Sequence, residues 1–217
     1  MLHTRIKICG ITRPDDARAV VDSGADAIGL VFYAGSPRAV TVEQAAEIVQ
    51  AVSPFVTVVA LFVDEPAQNV ERILQVLPVD LLQFHGDENS DYCRSFNRPW
   101  LKALRVRSGV DVAGEASRFA GARGILLDSW QEGMPGGTGK TFDWQLARGS
   151  TSLPVVLAGG LNPGNVGAAI RQLRPAAVDV SGGVESAPGV KDPVKIRQFV
   201  AAVRAADREP GGVSDDQ

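Results

Sequence analysis

Short β-branched apolar runs alternate with longer stretches of helical periodicity along almost the whole chain. The runs fall at residues 6–9, 27–31, 55–63, 80–84, 100–106, 124–128, 154–158 and 177–180. Each is short, apolar and bounded by turn-forming residues, which reads as a buried parallel strand. Apolar positions at helical spacing follow each run, in stretches beginning near residue 14, with Thr12 as cap, and ending near 23–24, then at 42–52, entered through Thr41, and at 67–77. Further helices are predicted at 88–96, 110–119, 142–147, 163–173 and 193–206. Eight strand–helix units in one chain predict an α/β fold, a single compact (β/α)8 TIM barrel over residues 1–206. The competing architecture, an open doubly wound sheet, usually has fewer units. Residues 207–217 ("DREPGGVSDDQ") are polar with Pro and Gly and read as a disordered tail.

In such a barrel, chemistry sits where the strands end, on the loops that follow them. The first strand ends in Cys9-Gly10, and the loop after the second carries Ser36-Pro37-Arg38. The fourth runs into Gln83-Phe84-His85-Gly86-Asp87 and the sixth into Asp128-Ser129. The seventh ends in Gly159-Gly160 and the eighth in Asp179-Val180-Ser181-Gly182-Gly183. Each alone has an ordinary explanation: a core cysteine, a helix-capping aspartate, a structural histidine, a solvated arginine. Together they bring a thiol, a guanidinium, an imidazole and two carboxylates to one rim.

Strand alternation puts Arg5, Lys7 and Cys9 on one face and Ile6 and Ile8 on the other. The isoleucines then pack under helices, and Cys9 points into the barrel mouth, where Gly10 lets the chain turn sharply away. Double glycines after the last two strands suit a phosphate, whose oxygens bare backbone N–H groups can bind; they would also serve as tight turns. The segment "GMPGGTGK" (133–140) lacks the spacer of a nucleotide-binding loop. Gly136, Gly137, Thr138, Gly139 and Lys140 are instead expected to form a mobile cover.

Composition narrows the picture. The 217 residues include 22 Lys+Arg against 25 Asp+Glu, net charge -3, without a basic cluster, so no nucleic-acid partner is expected. The two cysteines, Cys9 and Cys93, form no disulfide framework and lack zinc-site spacing. No apolar stretch approaches membrane-span length and no secretory leader is visible, which predicts a cytoplasmic protein.

The strand-end motifs resemble the phosphoribosylanthranilate isomerase family of tryptophan biosynthesis. The resemblance rests on "KICGIT" (7–12), "SPR" (36–38), "QFHGDE" (83–88), "LLDS" (126–129), "GGTGKTFDW" (136–144), "LAGGLNP" (157–163) and "DVSGGVE" (179–185), in order from first strand to last. Gly182 departs from the pattern, where the family commonly has a second serine; a hydroxyl is lost but the amide is kept. The resemblance implies an Amadori rearrangement of N-(5-phosphoribosyl)anthranilate with no metal and no organic cofactor. It assigns Cys9 as general base and Asp128 as general acid, and their places on strands one and six leave room for a substrate between them. Asp128 should then hold a proton through burial, and Cys9 should ionise not far above the ordinary thiol value of about 8.5. Arg38 suits the anthranilate carboxylate, His85 and Asp179 are further substrate-site residues, and Gly159, Gly160, Ser181, Gly182 and Gly183 suit the phosphate. Related barrels of the histidine pathway resemble the chain in phosphate site and chemistry but use aspartate as base where Cys9 stands. Indole-glycerol-phosphate synthase relies on a lysine acid, and no such motif surrounds Lys7 or Lys102. A non-catalytic phosphosugar-binding barrel and either a monomer or a homodimer stay open at this level.

Overall fold

The protein is described by a computed structural model covering residues 3–106, 111–129 and 151–209. Eight parallel strands close a barrel in chain order: β1 (Arg5–Cys9), β2 (Ala27–Val31), β3 (Thr57–Phe62), β4 (Leu81–Phe84), β5 (Trp100–Val106), β6 (Gly124–Ser129), β7 (Val155–Leu157) and β8 (Ala177–Val180). β8 pairs with β1 in the register Lys7↔Asp179, which completes the ring. Outside it lie α1 (Pro14–Ser23), α2 (Val42–Val49), α3 (Ala67–Val76), α4 (Ser90–Arg94), α5 (Val112–Ser117), α6 (Val166–Leu173) and α7 (Pro193–Arg208). The predicted helix at 142–147 and the glycine-rich loop at 133–140 lie outside the described residues.

Strand alternation sorts the core into two parts. Outward residues such as Ile6, Ile8, Phe62, Phe84 and Val178 are fully buried under the helices, each fully buried side chain of this size contributing roughly 1.5–3 kcal/mol. Phe84 is ringed by Phe62, Phe96, Tyr92 and Trp100, with centroids 5.7–6.4 Å away. Inward residues Leu101, Ala103, Leu126, Val156 and Ala158 fill the lower barrel, and Cys9, Val31 and Leu61 meet higher up. Among the described residues, the lower interior is thus filled by apolar packing, up to Ala158 at the floor of the upper end.

Local chemistry explains where elements start. Thr41 caps α2 in a reciprocal box with Gln44. Asp192 accepts from the N–H groups of Val194 and Lys195 at the head of α7, where Pro193 has no N–H to satisfy. Thr12 does not cap α1: its hydroxyl donates to the Gly189 carbonyl, and Arg13 holds the cap position without a side-chain bond. β3 begins at Thr57 because residues 53–56 turn, leaving Phe55 95% exposed. α4 starts only at Ser90, capped by Asn89, since Glu88 turns inward. The Glu88 carboxylate accepts from Asp64 N (2.8 Å), Gly86 N (2.9 Å) and Lys102 Nζ (2.7 Å).

Two further features depart from the sequence expectation. A 3-10 turn (Gly182–Val184) and an antiparallel hairpin, β9 (Glu185–Ala187) with β10 (Val190–Lys191), lie between β8 and α7. The last helix runs through Arg208, two residues into the segment expected to be tail, because Asp207 accepts from the Thr4 hydroxyl at 2.6 Å; residues 210–217 lie outside the described part. Among the described residues no helix is long and apolar enough to cross a membrane.

Candidate active site

A cavity of about 340 Å³ opens at the C-terminal ends of the strands. Cys9, Arg38, His85, Asp128 and Asp179 all line it, as do Gly159, Gly160, Ser181, Gly182 and Gly183. Every described residue that the sequence singled out therefore meets in one place; the loop at Gly136–Lys140 lies outside the described residues.

Cys9 is the last residue of β1 and faces inward opposite Gly29 of β2. A Cβ at position 29 would lie 2.7 Å from Cys9 Sγ and 3.1 Å from Lys7 Cε, so glycine makes the space that both side chains share. Lys7 donates to Asp179 Oδ2 at 2.9 Å, and both are buried. Burial works against the lysine charge, but Asp179 and Cys9 outweigh it and hold the ammonium above its ordinary pKa. For Cys9 the balance falls the other way: burial pushes the thiol up, with Asp179 adding to it and Lys7 and Lys191 opposing. The expectation that this thiol ionises close to its ordinary value is corrected on that account. The thiolate, once formed, is a stronger base for the same reason.

Across the mouth, Asp128 is buried at the end of β6. His85, held by a 2.8 Å bond from its backbone N–H to the Phe62 carbonyl, places Nε2 3.2 Å from Asp128 Oδ2. Its other ring nitrogen, Nδ1, is 3.0 Å from Gln83 Nε2.

Arg38 reaches the cavity through a gap that Gly10 leaves. With φ of +73° at position 10, a Cβ there would stand 2.5 Å from Arg38 Cδ. The guanidinium is pinned by Glu185, which accepts from Nε (2.8 Å) and Nη2 (2.7 Å). One forked edge is thus occupied by the protein, and among the described residues none takes the Nη1/Nη2 edge, which has the geometry to hold a carboxylate. Burial raises the Glu185 carboxyl, but Arg38 and Lys191 outweigh it and hold it below its ordinary range. Lys191, buried on β10, donates to Glu185 Oε1 at 2.7 Å and lies 3.3 Å from the Ser181 hydroxyl. It joins the carboxylate-facing and glycine-rich sides of the site.

Gly159 and Gly160 both take positive φ, +79° and +67°, a conformation other residues rarely adopt. The turn beyond them is fixed by Asn165, which donates to the Gly160 carbonyl at 2.9 Å and accepts from Asn162 N at 2.8 Å. Gly183 packs so tightly against this turn that a Cβ would fall 1.9 Å from the Leu161 carbonyl oxygen. The loops after β7 and β8 therefore form one backbone-walled corner.

Polar residues in or beside the site that were not picked out from sequence include Lys7, Gln83, Glu185 and Lys191. For the first two a signal existed, since each is a polar residue between apolar neighbours at an inward strand position. The other two sit on a hairpin too short to show a pattern. Among the described residues no group of three or more His, Cys, Asp or Glu side chains is arranged to hold a metal ion.

A (β/α)8 barrel whose strand ends bring a buried thiol, a buried carboxyl, an arginine and a glycine-walled corner to one cavity has the architecture of a barrel enzyme for a small molecule. Residues 6–202 match the N-(5'-phosphoribosyl)anthranilate (PRA) isomerase family, and the chain belongs to it. An N-(5'-phosphoribosyl)anthranilate isomerase of Pseudomonas fluorescens is 58% identical over 204 residues, covering 94% of this chain and 97% of that one. One from Pseudomonas aeruginosa is 57% identical over 209 residues, covering 96% and 99%. Among solved structures, a phosphoribosyl anthranilate isomerase in complex with reduced 1-(o-carboxyphenylamino)-1-deoxyribulose 5-phosphate superposes with a TM-score of 0.83 at 38% identity, covering 93% of this chain and 99% of that one. The Thermus thermophilus enzyme superposes at 0.84 with 34% identity over the same shares.

Proposed function

We propose that Cys9 and Asp128 are the base and the acid with which this isomerase converts N-(5'-phosphoribosyl)anthranilate into 1-(2-carboxyphenylamino)-1-deoxyribulose 5-phosphate, a step of tryptophan biosynthesis. The observation that carries this assignment is that the two buried groups, from β1 and β6, line one cavity together with Arg38 and the glycine corner. Asp128 gives its proton to the ribose ring oxygen. The C1–oxygen bond breaks, its electron pair goes to the oxygen, and the nitrogen lone pair forms the C1=N bond of a Schiff base. The Cys9 thiolate then takes the C2 proton, leaving an enolamine. That species takes a proton at C1 from the Cys9 thiol and passes its C2 hydroxyl proton to the Asp128 carboxylate, so both protein groups return to their starting states.

The free edge of Arg38 takes the anthranilate carboxylate, and the backbone of Gly159, Gly160 and Ser181 to Gly183 takes the phosphate. His85 and Asp179 complete the wall between them. A solved relative at 38% identity holds the reduced form of the product, whose carboxylate and phosphate match these two ends. Residues 1–206 act as one domain in the cytoplasm, as a monomer or a homodimer; a relative from Thermotoga maritima is described as dimeric, with monomers generated from it.

The test is a coupled assay that forms the substrate in situ and follows loss of its anthranilate-type fluorescence. Cys9→Ser and Asp128→Asn should each lower kcat by about 10²–10⁴-fold, the usual contribution of a positioned acid or base, with KM little changed. A near-normal kcat in either variant removes that residue from its role.

A further inference from the structure

Gln83 is fully buried on the inner face of β4, in register with Leu61 and Leu101, where an aliphatic side chain would pack without loss. Its Oε1 has no hydrogen-bond partner among the described residues. Burying an amide with half its capacity unmet is unfavourable, so the half that is used calls for a reason. That half is Nε2, 3.0 Å from His85 Nδ1, on a ring whose Nε2 is 3.2 Å from Asp128 Oδ2.

An amide nitrogen only donates, and a neutral imidazole has one donor and one acceptor nitrogen. A donor at Nδ1 therefore requires the ring proton to be on Nε2, where it points at Asp128. We infer that Gln83 is a positioning residue that locks His85 in its Nε2–H tautomer, so that His85 donates to Asp128 Oδ2 and confines the transferable proton to Oδ1. This deepens the assignment of Asp128 as the acid and rests on it. Once Asp128 has protonated the ring oxygen, the same Nε2–H supports the carboxylate left behind, and the lone pair of Nε2 is never turned toward the acid to capture its proton. The opposite tautomer would make that capture the resting state.

The chain has only two histidines, so ¹⁵N-histidine NMR reads the tautomer directly, and His3→Gln, far from the site, leaves the His85 signal alone. In the His3→Gln protein, otherwise unchanged, His85 is expected to show a protonated Nε2 and an unprotonated Nδ1. Gln83→Leu should let the two tautomers mix. Gln83→Glu, which presents an acceptor, should move the proton to Nδ1 or protonate both nitrogens. In steady-state kinetics Gln83→Leu should lower kcat by about tenfold to a hundredfold, the worth of one oriented hydrogen bond to a charged group, with KM nearly constant. A protonated Nδ1 in the protein carrying only His3→Gln overturns the proposal whatever the Gln83 variants do, and needs none of them to fold. An unchanged tautomer or an unchanged kcat in Gln83→Leu overturns it as well. Asp128→Asn run alongside separates the levels: if it keeps normal kcat, the acid assignment fails, whereas a dead Asp128→Asn with an indifferent Gln83→Leu refutes only the lock.

Discussion

Gly29 shows how a residue without a side chain can set the chemistry of its neighbours. It lies opposite Cys9 on the adjacent strand, and the volume its Cβ would occupy is filled by the Cys9 sulfur and the Lys7 stem. Its φ lies outside the left-handed region, so alanine is sterically compatible with the backbone, and the penalty comes from packing alone. Adding one methyl to a filled core costs about 1–3 kcal/mol, which a barrel of this size survives. The displaced atoms belong to Cys9, the proposed base, and to the cation beneath it, and an ångström of misplacement can cost about a hundredfold in rate. Gly29→Ala is therefore expected to stay folded and to lose kcat by at least about tenfold, checked by steady-state kinetics beside a urea titration. A variant with normal kcat would mean that the thiol position is not critical.

At the scale of elements, the β9–β10 hairpin matters most, because it supplies Glu185, which fixes Arg38, and Lys191, which braces Glu185. Glu185 spans Arg38 and Lys191, and Lys191 continues to Ser181. Glu185→Gln would leave two cations facing each other without their shared anion, and breaking a buried pair on one side typically costs about 3–5 kcal/mol. The expected outcome is a lower urea midpoint and a KM raised about tenfold or more, with kcat less affected; an unchanged KM would show that Arg38 holds its place without Glu185. This element was not legible in the sequence. Its strands are two and three residues long, too short for alternation to register, and "ESAPGVK" reads as a loop. Alternation in β1 was legible, since Ile6 and Ile8 on one face and Cys9 on the other need only local geometry. The cap of α1 and the start of α4 were misread because a side chain found a distant partner: Thr12 went to Gly189, and Glu88 turned inward to Lys102. Contacts between residues far apart in sequence decide such positions, and no local pattern carries them.

The whole barrel is closed by contacts between its ends. Thr4 donates to Asp207, Arg204 donates to the Thr4 carbonyl at 2.7 Å, and β1 pairs with β8, so the first strand and last helix hold each other and the fold should unfold as one unit. A buried group anywhere then reports on the stability of the whole. Cys93 on α4 is fully buried, and burial pushes its pKa from 9.0 to about 12. Burial similarly pushes Tyr92 from 10.0 to about 12. Both stay protonated in the folded chain while the unfolded chain begins to release those protons. The folded state binds more protons in that window, so stability falls with rising pH. The contribution of these two groups should be level below about pH 9, the ordinary thiol value, and decline from there toward about pH 12. The buried Cys9 thiol, also pushed up, acts in the same direction; Cys93→Ala removes one of these contributions, and its smaller side chain lowers stability equally at every pH. The quantity to compare is therefore the loss of unfolding free energy between about pH 8 and about pH 10.5, on either side of ordinary thiol ionisation. Urea titrations should show a smaller loss in Cys93→Ala than in the wild type. Equal losses would place the alkaline weakness elsewhere, with Tyr92, whose hydroxyl donates to the Glu65 carbonyl, the next group to change.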